Sequence, residues 1–332
     1  MIFNVNQTEF INENQRIIWQ FGTHIVPLEV SLADNEDEEI LEGCKQIYDC
    51  TMEILTDIYN NPDKYIYLPR WYTCDYIAWL VNGNKPMKKH NDEFLRYLER
   101  IPRFGFSYDT YLDRWTNDKY PLFGEYFSRF GVLAKERKQN MGGYLDRRDF
   151  RLFSKRIILT LDDLIRPLSD KERAYCLDLH EYAILKGMKV EMKDPCFFRY
   201  IYKNLYSVEI LNNPFNIRVI YRLDNGKHIY DQLEKFLMVV DNQTDKNELY
   251  SYIQGGICVC NACNGIKKAN ERCGRWVDIK GARRLSSMCH PAIGKYRRGT
   301  HNTTYTDEDI KMFKRMIDIR IEQIDKFIWE KK

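Results

Sequence analysis

The chain has 332 residues, 44% of them hydrophobic and 30% charged, with a formal net charge of +3. That length exceeds the roughly 100–200 residues of one domain, and the balance excludes a disordered, fibrous or low-complexity chain. No apolar run reaches the ~18 residues of a membrane span, and the first residues lack the basic, apolar and small-residue order of an export signal, so the sequence predicts a cytoplasmic protein with no membrane partner.

The N-terminal half reads as helical. From about Asp34 to Tyr59, Ile40, Cys44, Ile47, Thr51, Ile54, Leu55 and Ile58 recur at spacings of three and four and make one apolar stripe. Asp and Glu crowd the first turn of this segment, where they complement the helix dipole. Further helices are predicted at 71–81, 86–101, 123–138 and 150–165, separated by Asn-Gly, Ile-Pro and Gly-Gly breaks. Pro167 to Asp170 closes this series and caps a helix over 171–186, which sets the domains at 1–167 and 168–332.

Beyond Gly187 the apolar period changes from 3.6 to 2. Segments 189–193, 197–203, 205–211 and 217–222 are short, rich in Val, Ile, Tyr and Phe, and divided by turn residues, which predicts a small antiparallel meander. Helices follow at 229–239 and 245–253. The last segment, 306–329, carries Ile310, Phe313, Ile317, Ile321, Ile324 and Ile328 on one face and must pack on its own domain or on a second copy. The fold class is therefore α+β: a mostly helical N-terminal domain, then a small antiparallel sheet with helices, a cysteine-rich module and a C-terminal amphipathic helix.

That module, 256–300, holds five of the ten cysteines. Cys260 and Cys263 form a Cys-x2-Cys pair, the spacing that lets two thiolates of one turn reach a single tetrahedral zinc ion. Cys273 and Cys289 complete a closed site of four thiolates for a structural Zn2+, with Cys258, His290 and His301 as reserves. A segment so poor in apolar residues is expected to need metal rather than burial to hold it. Cys44, Cys50, Cys74, Cys176 and Cys196 are expected to pack as ordinary small apolar groups.

Charge is distributed unevenly. Between Ser31 and Tyr59 nine acidic residues face Lys45 alone, whereas between Lys267 and Arg298 ten basic residues face only Glu271 and Asp278. Lys267, Lys268, Arg272, Arg275, Arg283, Arg284, Arg297 and Arg298, with Trp276 and Tyr296 among them, suit contact with a phosphate backbone and stacked bases. The same charge pattern also fits an acidic protein surface as partner, including the chain's own 34–59 segment, or Lys and Arg that simply solvate a loop-rich domain.

Asp241, Asn242, Asn247, Cys260, Cys263, Asn264 and Lys267 together resemble the core of HNH-type nucleases. In that family the position after the Asp holds a general-base His; here it holds Asn242, which takes no proton at neutral pH. An upstream Cys-x2-Cys partner is also missing. The resemblance implies a shared zinc-knuckle geometry, with a divergent metal-dependent nuclease as the alternative function. No Gly-x-Ser-x-Gly elbow, phosphate loop or dinucleotide-binding turn occurs, and His180-Glu181 is followed by Ile184 where a metalloprotease needs its second His. Asp162 and Asp163, adjacent on a helix, are expected to decorate a solvated face. The sequence thus points to a non-enzymatic binding or regulatory protein.

Overall fold

A computed structural model of the chain describes residues 3–65, 104–109, 111, 114–137, 141–145, 147–212, 215–223, 229–257, 275–286, 292–295 and 304–328. The chain divides into two compact units, Met1–Leu159 and Thr160–Lys332. Segments 71–81 and 86–101, expected to be helical, lie outside the described residues.

Among its described residues, unit 1 is built on three helices, α1 (Glu13–His24), α3 (Glu38–Asn60) and α4 (Phe123–Glu136), with short α2 (Leu28–Ser31) and α5 (Met141–Leu145). Asp37 starts α3 by accepting hydrogen bonds from the backbone N–H groups of Glu39 and Ile40 at 3.0 and 3.2 Å. The stripe of α3 is buried as its spacing requires, with Cys44, Ile47, Leu55 and Ile58 at 0–1% exposure. It meets a wall of rings from α4, where Phe123 stacks on Phe127 at 5.5 Å and Phe130 lies 5.3 Å from Phe150. Gly43 permits this approach: a Cβ there would stand 2.2 Å from the ring of Tyr126.

Two features of the first 165 residues depart from the sequence expectation. A hairpin, β1 (Phe106–Asp109) with β2 (Arg114–Asn117), pairs Phe106 with Asn117 and Tyr108 with Trp115. The helix expected over 150–165 is instead a 3-10 turn, Phe150–Phe153, an extended stretch, and α6, Leu161–Ile165. Two caps break it. Asp149 accepts from the backbone N–H of Arg151 at 3.2 Å, and Thr160 and Asp163 form a capping box in which Asp163 accepts from the backbone of Thr160 at 2.7 Å. Asp163 is accordingly buried at 2% exposure, against the expectation of a solvated face.

Unit 2 begins at Thr160, ahead of the Pro167 break. Leu164 and Leu168 already join its core, and Asn212 donates to the backbone carbonyl of Leu164 at 2.8 Å. Ser169 and Glu172 form the capping box of α7 (Asp170–Leu185). The meander follows as β3 (Lys189–Asp194), β4 (Phe197–Tyr202), β5 (Leu205–Asn212) and β6 (Phe215–Ile220), all antiparallel. The β4–β5 turn is Lys203-Asn204, with φ of +45° and +65°, the left-handed pair that a two-residue hairpin requires. A fifth strand, β9 (Ala292–Gly294), returns from beyond the cysteine segment to pair with β6.

Over β5 and β6 lies α10 (Asp307–Ile328), flanked by α7, α8 (Ile229–Val240) and α9 (Lys246–Gly256). Phe313, Met316, Ile317 and Ile324 are fully buried, so α10 is the central helix of its own unit. Its carboxylates fasten it to the neighbours through tyrosine hydroxyls: Tyr175 donates to Asp307 at 2.6 Å, Tyr182 to Asp318 at 2.8 Å, Tyr202 to Asp325 and Tyr252 to Asp309 at 3.3 Å. Lys186, Lys203 and Lys295 pair with Asp318, Asp325 and Asp309. Each such contact stabilises by about 1 kcal/mol or less, and together they fix how the helix is rotated.

His180 of α7 faces the sheet, its Nδ1 3.0 Å from the hydroxyl of fully buried Tyr200. Burial lowers its pKa below the ordinary 6.5, with Glu181 opposing. The folded state therefore favours the neutral ring. The stability this contributes is present above the unfolded pKa and is lost as pH falls through the folded one. Thermal melts below about pH 6.5 should show His180→Gln, which keeps an acceptor for Tyr200 but does not titrate, losing less stability than the wild type. Parallel acid-induced losses in both proteins would remove His180 from the account.

Candidate nucleic-acid interface

The basic, cysteine-rich segment is framed by three pieces of regular structure. Before it, α9 ends at Gly256, and Ile257 makes an isolated antiparallel bridge to Ile293 of β9. Within it, β7 (Arg275–Ile279) and β8 (Ala282–Ser286) form a two-stranded ribbon. After it, β9 joins the main sheet. The ribbon turns through Lys280 and Gly281, at φ +46° and +78°, and the carboxylate of Asp278 accepts from the backbone N–H of Gly281 at 2.8 Å.

The tip of this ribbon is fastened to unit 2. Ile279 is fully buried in the core, and its carbonyl accepts from the side-chain amide of Gln254 at 2.6 Å. The ammonium of Lys280 sits 4.3 Å over the ring of Tyr250, whose hydroxyl is pushed up to about 12 by burial and by Asp241. Hydrophobic burial thus holds part of a segment expected to rely on metal: Ile257, Ile279 and Ile293 are at most 4% exposed.

The ladder gives the backbone register of three of the expected contact residues, Arg275, Arg283 and Arg284. Arg275 stands opposite Ser286, Trp276 opposite Leu285, Val277 opposite Arg284, and Asp278 opposite Arg283. Lys267, Lys268, Arg272, Arg297 and Arg298 lie outside the described residues, as do Cys260, Cys263, Cys273, Cys289, Cys258, His290 and His301. Among the described residues no group of three His, Cys, Asp or Glu is disposed to hold a metal ion.

Asp241 and Asn242 follow directly on α8, where Asn242 donates to the carbonyl of Met238 at 2.9 Å, and Asn247 lies in the first turn of α9. Cys44, Cys50 and Cys176 are buried and Cys196 is half-buried, with burial raising the thiol of Cys176 to about 12, far from reactive thiolate character. Cys74 is outside the described residues.

A feature missed by sequence reasoning lies in unit 1, a cleft of about 710 Å3 lined by Glu53, Thr56, Asp57, Asn60, Lys64 and Phe104 among others. Glu53 there accepts from Lys119 and from the hydroxyl of Tyr120, both at 2.6 Å, and these bonds hold its carboxyl below the usual range. The polar side of α3 reads in sequence as an ordinary solvated face, so no spacing marks this cleft.

Among the described residues no helix is long and apolar enough to cross a membrane. Compared with protein-family models, with curated proteins and with solved structures, the chain matches none.

Proposed function

We propose that unit 2 binds nucleic acid through the basic surface of its cysteine-rich segment, that one structural zinc ion on Cys260, Cys263, Cys273 and Cys289 organises this surface, and that the protein acts by binding rather than catalysis in the cytoplasm. The observation that carries the reading is the ribbon ladder. By pairing Arg275 with Ser286 it brings together the two points from which the chain departs, within three residues, for Cys273 and Cys289. The Ile257–Ile293 bridge likewise anchors the stretch that leads into Cys260 and Cys263. Short tethers on a fixed frame favour convergence of four thiolates, a donor set that suits tetrahedral zinc and, once closed, leaves no position open for a substrate.

Ten cations against two carboxylates in 267–298 supply the attraction for a polyanion. The test is a titration with a labelled mixed-sequence oligonucleotide at rising salt. Counterion release on about five or more phosphate contacts predicts at least about 100-fold weaker binding between ~50 and ~200 mM salt. Absence of binding at low salt overturns the proposal and leaves an acidic protein surface as the partner to seek. Cleavage of the oligonucleotide that depends on added magnesium or manganese would assign the protein to the divergent-nuclease alternative.

A further inference from the structure

We infer that the outer face of the five-stranded sheet of unit 2 pairs with the same face of a second copy of this chain. The inner face, with Phe198, Tyr200, Val208, Ile210 and Ile217, is buried in the core beneath α10. Side chains alternate along a strand and cross-strand partners share a face, so the residues between these point the other way. Strand pairing brings Glu191, Arg199, Glu209 and Arg218 into one row across β3 to β6. Within the row Arg199 donates to Glu209 at 2.8 Å, and Arg218 stands 3.8 Å from the same carboxylate. The guanidinium of Arg199 lies over the rings of Phe197 and Tyr206 at 4.7 and 4.8 Å. Phe197, Ile201, Leu211 and Ile220 flank the row, half-buried, and none of the four is among the described residues that form the core of unit 2 or pack on it. Tyr206 is 43% exposed. An antiparallel sheet whose outer side only meets water carries polar residues there, whereas this one sets apolar and aromatic residues around an ordered row of charge.

The order of the charges identifies the occupant. Across the strands the row reads Glu, Arg, Glu, Arg, a pattern complementary to its own reversal. A two-fold axis lying in the interface, along the strands and between β4 and β5, sets Arg199 against Glu209 of the second copy and Glu191 against its Arg218, and each pair occurs twice. Sheets packed face to face stand about 10 Å apart, a gap that Arg and Glu side chains span from both sides. Two Arg with two Glu carry no net charge, so the row offers a polyanion no excess of cations and differs in this from the basic segment 267–298. The size of the face sets the strength of pairing. Five strands at ~4.8 Å spacing, each about six residues long at ~3.3 Å per residue, give about 500 Å2 per copy and about 1,000 Å2 in all, the lower bound of a specific interface. The dimer is therefore a reversible one that dissociates in the micromolar range.

Sedimentation velocity of the full chain from about 1 to about 100 μM, with two charge reversals, tests this. The wild type should pass from monomer to dimer across that range. Arg218→Glu sets a carboxylate against Glu191 of the second copy, and Glu191→Arg sets a guanidinium against its Arg218, so each variant alone should self-associate at least about tenfold more weakly. Mixed one to one, the two variants match again at all four positions of the row, and the dimer should return to near wild-type strength. Thermal melts check that each variant folds. If either reversal does not fold, Tyr206→Ala, which removes an exposed ring and leaves the charges in place, decides: it should weaken self-association about tenfold. A wild type that stays monomeric up to about 100 μM overturns the inference, as does a mixture no more associated than its components, or undiminished self-association in the variants. Loss of oligonucleotide binding in Arg218→Glu, with a monomeric wild type, would give this face to nucleic acid instead.

Discussion

Replacing Arg320 with Ala should destabilise unit 2 by about 3–5 kcal/mol, lowering its melting temperature by about 10 °C. Arg320 is fully buried in the middle of α10, and its hydrogen-bond partners are the side chain of Gln323 at 2.6 Å, the carbonyl of Tyr206 at 3.1 Å and the carbonyl of Arg222. None is a carboxylate. Burial pulls the guanidinium down to about 9, which still leaves it cationic at neutral pH.

The reason for its presence is where the sheet stops. The last β5–β6 pair is Val208 with Val219, and the fork of Arg320 bridges the two strands beyond it, while Gln323 donates to the carbonyls of Tyr221 and Gln232 at 3.2 and 2.8 Å. Ala removes the donor to two backbone carbonyls at once and leaves a cavity. Lys supplies one point charge where a planar fork is needed, so Arg320→Lys should recover only part of the loss. Met, with similar volume and no charge to desolvate, should cost less than Ala. A thermal melt of Arg320→Ala within a degree or two of wild type would mean that the backbone at this site finds other donors.

The second large effect follows from the zinc proposal. Cys263→Ser should abolish a stoichiometry of one zinc per chain, measured by elemental analysis, and lower the melting temperature of unit 2, because a closed thiolate site contributes its binding energy to folding. The loss should be partial. Ile257, Ile279 and Ile293 keep their places in the core without metal, so the main sheet, α10 and the tip of the β7–β8 ribbon should remain folded in the variant. Cys176→Ser, a change to a buried thiol of α7, should leave the zinc count unaltered. Full zinc occupancy in Cys263→Ser, with an unchanged melt, would remove this residue from the ligand set.

Elements whose stability is local were the most legible from sequence. The stripe of α3 and its Asp37 cap, the capping box of α7, and the alternating strands around the Lys203-Asn204 turn all encode their conformation within a few residues. What escaped depends on distant partners. Strand β9 is three residues, Ala-Ile-Gly, and exists as a strand because β6 offers an edge more than 70 residues earlier. Arg320 reads as a polar break in an amphipathic helix, and only the packing of α10 on several sides turns it inward. In the ribbon, Trp276, Val277 and Ile279 alternate ambiguously in sequence, and the burial of Ile279 with its bond from Gln254 comes from partners that no local pattern marks. The zinc ligands themselves rest on spacing, with the frame that flanks them as support.

The central position of α10 has a consequence for biosynthesis. A ribosome delivers β3 to β6 about 100 residues before Asp307, so the emerging sheet spends that interval with its apolar face, Phe198, Tyr200, Val208, Ile210 and Ile217, lacking its principal cover. At about 5–20 residues per second this lasts on the order of 5–20 s, ample time for a chaperone to engage it. Unit 1 has all of its own elements by residue 159 and can close its core while the rest is still being made. The two halves of the chain therefore place different demands on the cell: the first matures as it is synthesised, and the second waits on its last helix.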